Sequence, residues 1–177
     1  MNERDMVVTM KGQPLVLVGN EVKVGDLAED VTLIGNDLTE VKLSSFLGKV
    51  CIISTVPSLD TSVCDLMTKR FNEAASELGG DVVVLTISAD LPFAQARWCG
   101  ASGVENVVTL SDYRDAAFGE AYGVLIKGLR LLARTVFVVD IDGVISYQQI
   151  VPEITEEPDY DAALRAAKNL LAAKGHV

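Results

Sequence analysis

Three cysteines carry most of the reactive potential of this 177-residue chain: Cys51, Cys64 and Cys99. Cys64 stands in "VPSLDTSVCDLMTKRF" (56–71), where a turn becomes a helix. The thiolate is the nucleophilic form of cysteine, and a free thiol with a pKa near ~8.5 is shifted toward it at helix N-termini and beside cations. Thr61 or Ser62 can cap the helix, and Ser62 with Asp65 matches the S/T-x-x-D/E capping pattern. The unpaired N–H groups of the first turn and the helix dipole would then favour negative charge at the sulfur. Pro57 fixes the chain direction leaving the preceding strand and can keep bulk water off the thiol. Asp60 opposes the thiolate, so a cation is required. The candidate is Arg134 in "LLARTVFVVD", at the start of a hydrophobic strand. Its planar fork of donors could hold the thiolate and an oxygen of the molecule it attacks.

Each residue also has a plainer reading. Free cysteines are commonly buried as small packing residues. Cys51 lies inside the apolar run "KVCIIS" and reads that way; Cys64 alone, and Cys99 at the end of "LPFAQARWC", could too. Arg134 could be an ordinary charge at a strand end, and Thr61 a helix cap. Phe93 and Trp98 read as helix-face packing, although near Cys99 either could line a channel. The clustered bases Lys69 and Arg70 read as a solvated helix face. The one histidine, His176, belongs to the C-terminal tail. With one His, no CxxC pair and no ligand-spaced carboxylates, no metal site is expected. An odd cysteine count without a signal peptide is not a secreted disulfide framework.

The elements that must position these residues follow from pattern. "MVVTM" and "PLVLVG" around "KGQ" make an N-terminal β-hairpin, and "VTLIGNDLTEVKL" two short strands around "GND". "KVCIISTV" (49–56) is a continuous apolar run of strand length, the mark of a strand buried on both faces. From Asp65 to Leu78, Leu66, Met67, Phe71, Ala74, Ala75 and Leu78 share a helical face, ended by Gly79 and Gly80. "DVVVLTIS" (81–88) closes a βαβ unit. Asp90 and Pro92 open a helix that Gly100 ends. "NVVTL" is a strand and "RDAAFGEAYG" a short helix. "RTVFVVD" and "VISYQQIV" flank an Asp-Gly turn. "PDYDAALRAAKNLLAAKG" is an amphipathic helix running from Pro158–Asp159 to Gly175. The expected fold is α/β: one domain over 1–177, a central mixed sheet flanked by helices on both faces, with a thioredoxin-like core among the compatible arrangements.

The totals exclude several roles. A net charge of −10 argues against nucleic acid and anionic membranes as partners. No stretch approaches the ~20 apolar residues of a membrane span, and the start "MNERDMVVTM" is not a signal peptide, so a cytoplasmic location is expected.

"PSLDTSVC" fits the P-x-x-x-T/S-x-x-C motif of peroxiredoxins through Pro57, Thr61 and Cys64. The longer stretches "VPSLDTSVCDLMTKRFNEAA", "TISADLPFAQARWCGASG", "GLRLLARTVFVVD" and "VPEITEEPDYDAAL" resemble the bacterial thiol peroxidases, the atypical two-cysteine peroxiredoxins, over nearly the whole chain. The resemblance implies a thioredoxin-like fold and reduction of hydrogen peroxide and organic hydroperoxides without cofactor. It implies Cys64 as the peroxidatic cysteine, which becomes a sulfenic acid, and Cys99 as the resolving cysteine of the same chain. By the same resemblance Thr61 bonds the thiolate and orients the peroxide, Pro57 shields the sulfur and Arg134 is the active-site arginine. Thioredoxin as reductant, a homodimer with the site near its interface, and an apolar channel are implied too. The chain departs from the pattern at Ala28-Glu29-Asp30-Val31, where the family has a Pro and an aromatic; altered packing of the early strands is expected there.

A disulfide needs Cα atoms within roughly 7 Å. The first turn at Cys64 is expected to unwind, and the Cys99 helix to fray at Gly100 and Gly103, after oxidation. Two rival functions share these cysteines. A dithiol–disulfide exchange protein is disfavoured by the missing CxxC. A redox sensor would show one oxidation event and no turnover.

Overall fold

The computed structural model describes residues 2–104 and 106–174. Its centre is a seven-stranded mixed sheet in the order β11-β10-β5-β6-β7-β3-β4. The three inner strands β5 (Val50–Thr55), β6 (Val82–Ser88) and β7 (Val107–Ser111) are parallel. β10 (Thr135–Val139) runs antiparallel to β5 and is followed by β11 (Ile145–Ile150). β3 (Thr32–Ile34) and β4 (Glu40–Lys42) finish the other edge. A second sheet, β1-β2-β8-β9, contains the expected hairpin of β1 (Glu3–Met10) and β2 (Gln13–Val18). Its other half, β8 (Leu125–Ile126) and β9 (Leu131–Leu132), consists of two-residue strands too short to leave a periodic signal. A 3₁₀ turn at Leu43–Phe46 was equally silent in sequence.

β5 is buried at all six positions, as its unbroken apolar run requires. Alternation sends its side chains into two cores. Cys51 and Ile53 enter a core with Leu85, Ile87, Phe137 and the aromatic group Phe118–Tyr122. Val50, Ile52 and Val56 enter a second core built on α1 (Ser62–Leu78) and α4 (Tyr160–Lys174) through Met67, Phe71, Ala75, Ala163 and Ala167. α2 (Pro92–Ser102) lies against β7, and its Trp98 joins this second core. The short α3 (Ala117–Ala121) belongs to the first.

Several expectations are corrected in detail. α1 starts at Ser62 with Thr61 as N-cap, so Ser62 and Asp65 do not form a capping box. α2 passes through Gly100 and ends at Gly103 (φ +68), whose N–H bonds the Cys99 carbonyl at 3.2 Å. One helix-interior glycine costs about 1 kcal/mol, too little to stop a helix that has a left-handed cap three residues later. Phe93 is 66% exposed rather than packed. The departing segment is knitted in: the Glu29 carbonyl accepts from Tyr122, Asp30 from the Ser44 N–H, and Val31 is buried. Asp159 opens α4 as expected, its carboxylate accepting from the Ala162 N–H. Gly175 and His176 lie outside the described residues.

Candidate active site

Register brings the site together before any side chain is considered. Thr135 of β10 pairs with Thr55, Thr55 with Ile87 of β6, and Ser88 with Ser111 of β7. The carboxyl ends of β5 and β6 and the entry to β10 therefore share one end of the sheet, where ligand sites form in parallel α/β sheets. β5 delivers Pro57 and the loop to Cys64. β10 delivers Arg134, with the parity of Val136 and Val138, which face the α1–α4 core.

Cys64 is buried in the first turn of α1. Arg134 is also buried, at 2% exposure, and its Nη1 donates to Cys64 Sγ at 3.1 Å. Its Nε donates to the Ile154 carbonyl at 2.8 Å, and Nη1 also approaches Met67 Sδ at 3.7 Å. Among the described residues no carboxylate forms an ion pair with this guanidinium; the four ion pairs lie elsewhere. Buried charge requires compensation. Here the guanidinium meets the Cys64 sulfur and the Ile154 carbonyl. The backbone completes the clamp: the Arg134 carbonyl accepts from Val151, and Ile154 is tied to Thr9.

Thr61 is exposed. Its hydroxyl accepts from the Cys64 N–H at 3.3 Å and donates to the Ser58 carbonyl at 3.3 Å. In this conformation it holds the backbone of Cys64 rather than its sulfur, and that N–H is already engaged. Pro57 is buried where the chain leaves β5. Asp60 is exposed, its N–H bonded to Ser58 Oγ.

The residue that sequence reasoning missed is Asp90. Read as part of a helix start, it instead holds the Cys64 loop. Its carboxylate accepts from Ser58 Oγ (2.7 Å), the Leu59 N–H (2.8 Å) and Ser88 Oγ (2.7 Å). The α2 N-cap is Leu91, with no side-chain cap. The Asp-x-Pro spacing imitates a cap, and only the fold reveals the other partner.

Cys99 is half-buried, with Sγ 3.4 Å from Thr109 Oγ1 on β7. All three cysteines are free thiols. Thr109 has the parity of Val107, so Cys99 and Cys64 occupy the same side of the sheet. Their anchors, on β7 and beside β10, are three strands apart, about 14 Å across the sheet. Cys51 is the contrasting case: burial pushes its thiol up to about 11. Between the start of α1 and α2 lies a cleft of about 260 Å³, lined by Leu59, Asp60, Asp90, Ala94, Arg97 and Trp98.

A buried sulfur facing a buried guanidinium, at a capped helix start, can perform nucleophilic attack on an electrophile small enough to enter. No helix among the described residues is long and apolar enough to cross a membrane. Nor do those residues contain a cluster of three or more His, Cys, Asp or Glu able to hold a metal.

The redoxin family model matches residues 23–164. The thiol peroxidase of Bacillus subtilis (strain 168) is 59% identical over 164 residues, covering 93% of this chain and 98% of that protein. The thiol peroxidase of Staphylococcus aureus (strain Mu50 / ATCC 700699) is 55% identical over 163 residues, covering 92% and 98%. A peroxiredoxin-like protein from Aquifex aeolicus superposes with a TM-score of 0.87 at 45% identity, over 93% of this chain and 97% of that one. A thiol peroxidase from Chromobacterium violaceum shares the fold (TM-score 0.84, 98% and 100% coverage) at 23% identity. The thioredoxin-like α/β fold, the peroxide substrate and the thiol-based reductant thus stand together, and the chain belongs to the redoxin family as a thiol-dependent peroxidase.

Proposed function

We propose that Cys64 is the residue that attacks the peroxide. Its thiolate displaces along the O–O axis: an S–O bond forms, the O–O bond breaks, and the leaving oxygen departs as alcohol or water after taking a proton. Cys64 is left as a sulfenic acid. The observation that carries this reading is the 3.1 Å contact from the buried Arg134 Nη1 to Cys64 Sγ. Charge moves from sulfur to the leaving oxygen, so a fixed donor at this place stabilises the transition state more than the ground state. Thr61 contributes by exchanging its Ser58 contact for one to the peroxide. Pro57 excludes water behind the sulfur, and Asp90 positions the loop that carries both.

Cys99 then resolves. Its thiolate attacks the Cys64 sulfur, the S–O bond breaks, and the released hydroxide leaves as water. The Cys64–Cys99 disulfide is recycled by a thioredoxin-type dithiol. Hydrogen peroxide and organic hydroperoxides are both substrates. The working unit is a homodimer of single-domain chains in the cytoplasm. The test is intact mass after one equivalent of hydroperoxide. Wild type should lose two hydrogens, Cys99→Ser should gain oxygen at Cys64, and Cys64→Ser should not react. A Cys64→Ser protein that consumes peroxide like wild type would end the reading.

A further inference from the structure

Trp98 and Asp65 are the immediate neighbours of the two redox cysteines, and they bond to each other. The indole Nε1 donates to Asp65 Oδ1 at 2.9 Å. The other carboxylate oxygen is held by Lys69 at 2.9 Å, four residues along α1. Successive helix residues point about 100° apart. Trp98 thus spans the gap to α1 while Cys99 is turned to Thr109 on β7. The chain's only tryptophan thus faces α1, the side on which Cys64 lies.

The rest of α2 is lightly held. Only Pro92 and Gln95 are buried in it, against six buried residues in α1. Gln95 spends its amide N–H groups on Ser88 Oγ and the Leu110 carbonyl, while its Oε1 is buried with no hydrogen-bond partner among the described residues. An unpaired buried acceptor opposes the docked position. The Cys99 end of α2 is fixed to α1 by the charge-assisted Trp98–Asp65 bond together with the packing of Trp98 on the second core.

We propose that Asp65 and Trp98 are positioning residues forming a clasp, which holds the peroxide-reactive conformation and must open before Cys99 can reach Cys64. This rests on the Cys64–Cys99 resolution read above. The clasp sets a partition at the sulfenic acid. If it opens, the Cys99 thiolate displaces hydroxide from the Cys64 sulfur and a disulfide forms. If it stays closed, the sulfenate attacks a second hydroperoxide: another S–O bond forms, the O–O bond breaks, alcohol leaves, and Cys64 becomes a sulfinic acid. A tight clasp favours the second branch. Its readout is built in, because opening moves the lone indole from a half-buried carboxylate into water.

The test combines fluorescence with mass analysis on the full-length protein. In wild type, the Trp98 emission change should follow disulfide formation, not the earlier oxidation of Cys64. In Cys99→Ser, one equivalent of hydroperoxide should leave emission unchanged. Trp98→Phe keeps the ring bulk and removes the donor. It should speed disulfide formation by about three- to tenfold, the worth of one net hydrogen bond at a half-exposed site, and lower the sulfinic fraction under excess hydroperoxide by the same factor. Asp65→Asn keeps an acceptor and should lie between; Asp65→Ala should match Trp98→Phe, with no further gain in the double variant. The rate of Cys64 oxidation should stay within about twofold. Unchanged partition in Trp98→Phe and Asp65→Ala, or emission that moves in Cys99→Ser, overturns the clasp. Absence of any wild-type disulfide overturns instead the resolution reading.

Discussion

Replacing Arg134 with Met tests the centre of the site. The substitution keeps a long, buried, flexible side chain and removes both the charge and the fork. Three contacts disappear: the donor to Cys64 Sγ, the donor to Met67 Sδ and the anchor on the Ile154 carbonyl. The first decides the rate. Removing one fixed donor from a water-excluded site of developing negative charge costs about 2.7–4 kcal/mol, or about 10²–10³ in rate. The second-order rate constant of Cys64 with peroxide should fall by that factor. Folding should suffer far less. The Ile154 carbonyl loses a partner, at about 1–3 kcal/mol, while removing a buried charge with no carboxylate ion pair offsets part of that. Arg134→Lys keeps the charge but cannot grip Ile154 and reach the sulfur with one ammonium, so it should retain little of the lost rate. The assay is single-turnover oxidation at limiting peroxide, in a Cys99→Ser background so that only the first step is read, with circular dichroism as the fold control. A folded Arg134→Met protein within threefold of its parent would refute the assignment of transition-state stabilisation to this contact.

Asp90→Ala should leave Ser58 Oγ, Ser88 Oγ and the Leu59 N–H without their acceptor. Denaturant unfolding should show a loss of about 2–4 kcal/mol, and the Cys64 oxidation rate should fall at least tenfold because its loop is displaced. Thr61→Val removes the N-cap and should cost about 1 kcal/mol together with a drop in rate, which Thr61→Ser should largely restore. Cys51, at about 11, is roughly a thousandth thiolate at pH 8. Peptide mapping after brief alkylation should find it unlabelled until the protein is unfolded. Asp112 is pushed up to about 6, mainly by burial, against the amide donors of Phe118 and Gly119. The folded state then binds that proton more tightly than the unfolded chain, so stability should decline as pH rises from about 4 to about 6. Asp112→Asn should flatten that part of the stability profile.

The parts of the fold that run on repetition were legible. β5 and β6 announced themselves as unbroken apolar runs, α1 as a periodic face stopped by glycine, and β10–β11 by the Asp-Gly between them. Short or tertiary features were not: β8 and β9 exist because β2 offers an edge to pair with, and no two-residue strand has a period. The site divides the same way. Cys64 and Thr61 could be read from a local pattern, because capping is local. Arg134 could be nominated by its type, but only the pairing of Thr135 with Thr55 brings it to Cys64. Asp90 was misread because a carboxylate two residues before Pro92 has a local use, and the real partner lies 31 and 32 residues upstream.

The helices that carry Cys64 and Cys99 are built to unequal firmness, and the inequality suits the roles proposed for them. α1 lays Cys64, Met67, Phe71 and Ala75 into the core shared with α4. Its body cannot move without exposing Met67 and Phe71, both fully buried and each worth about 1.5–3 kcal/mol. Its first turn is held by the Thr61 cap, the Arg134 contact to Cys64 and the Trp98 bond to Asp65, so opening it means releasing these contacts. α2 buries two residues and carries its cysteine near its end. On the proposed roles, the attacking cysteine is thus set on the firm element, under a fixed guanidinium, and the resolving one on the loose element. Exchanging the two assignments would fail on both counts: among the described residues no cation bonds the Cys99 sulfur, and Cys64 is pinned by Arg134.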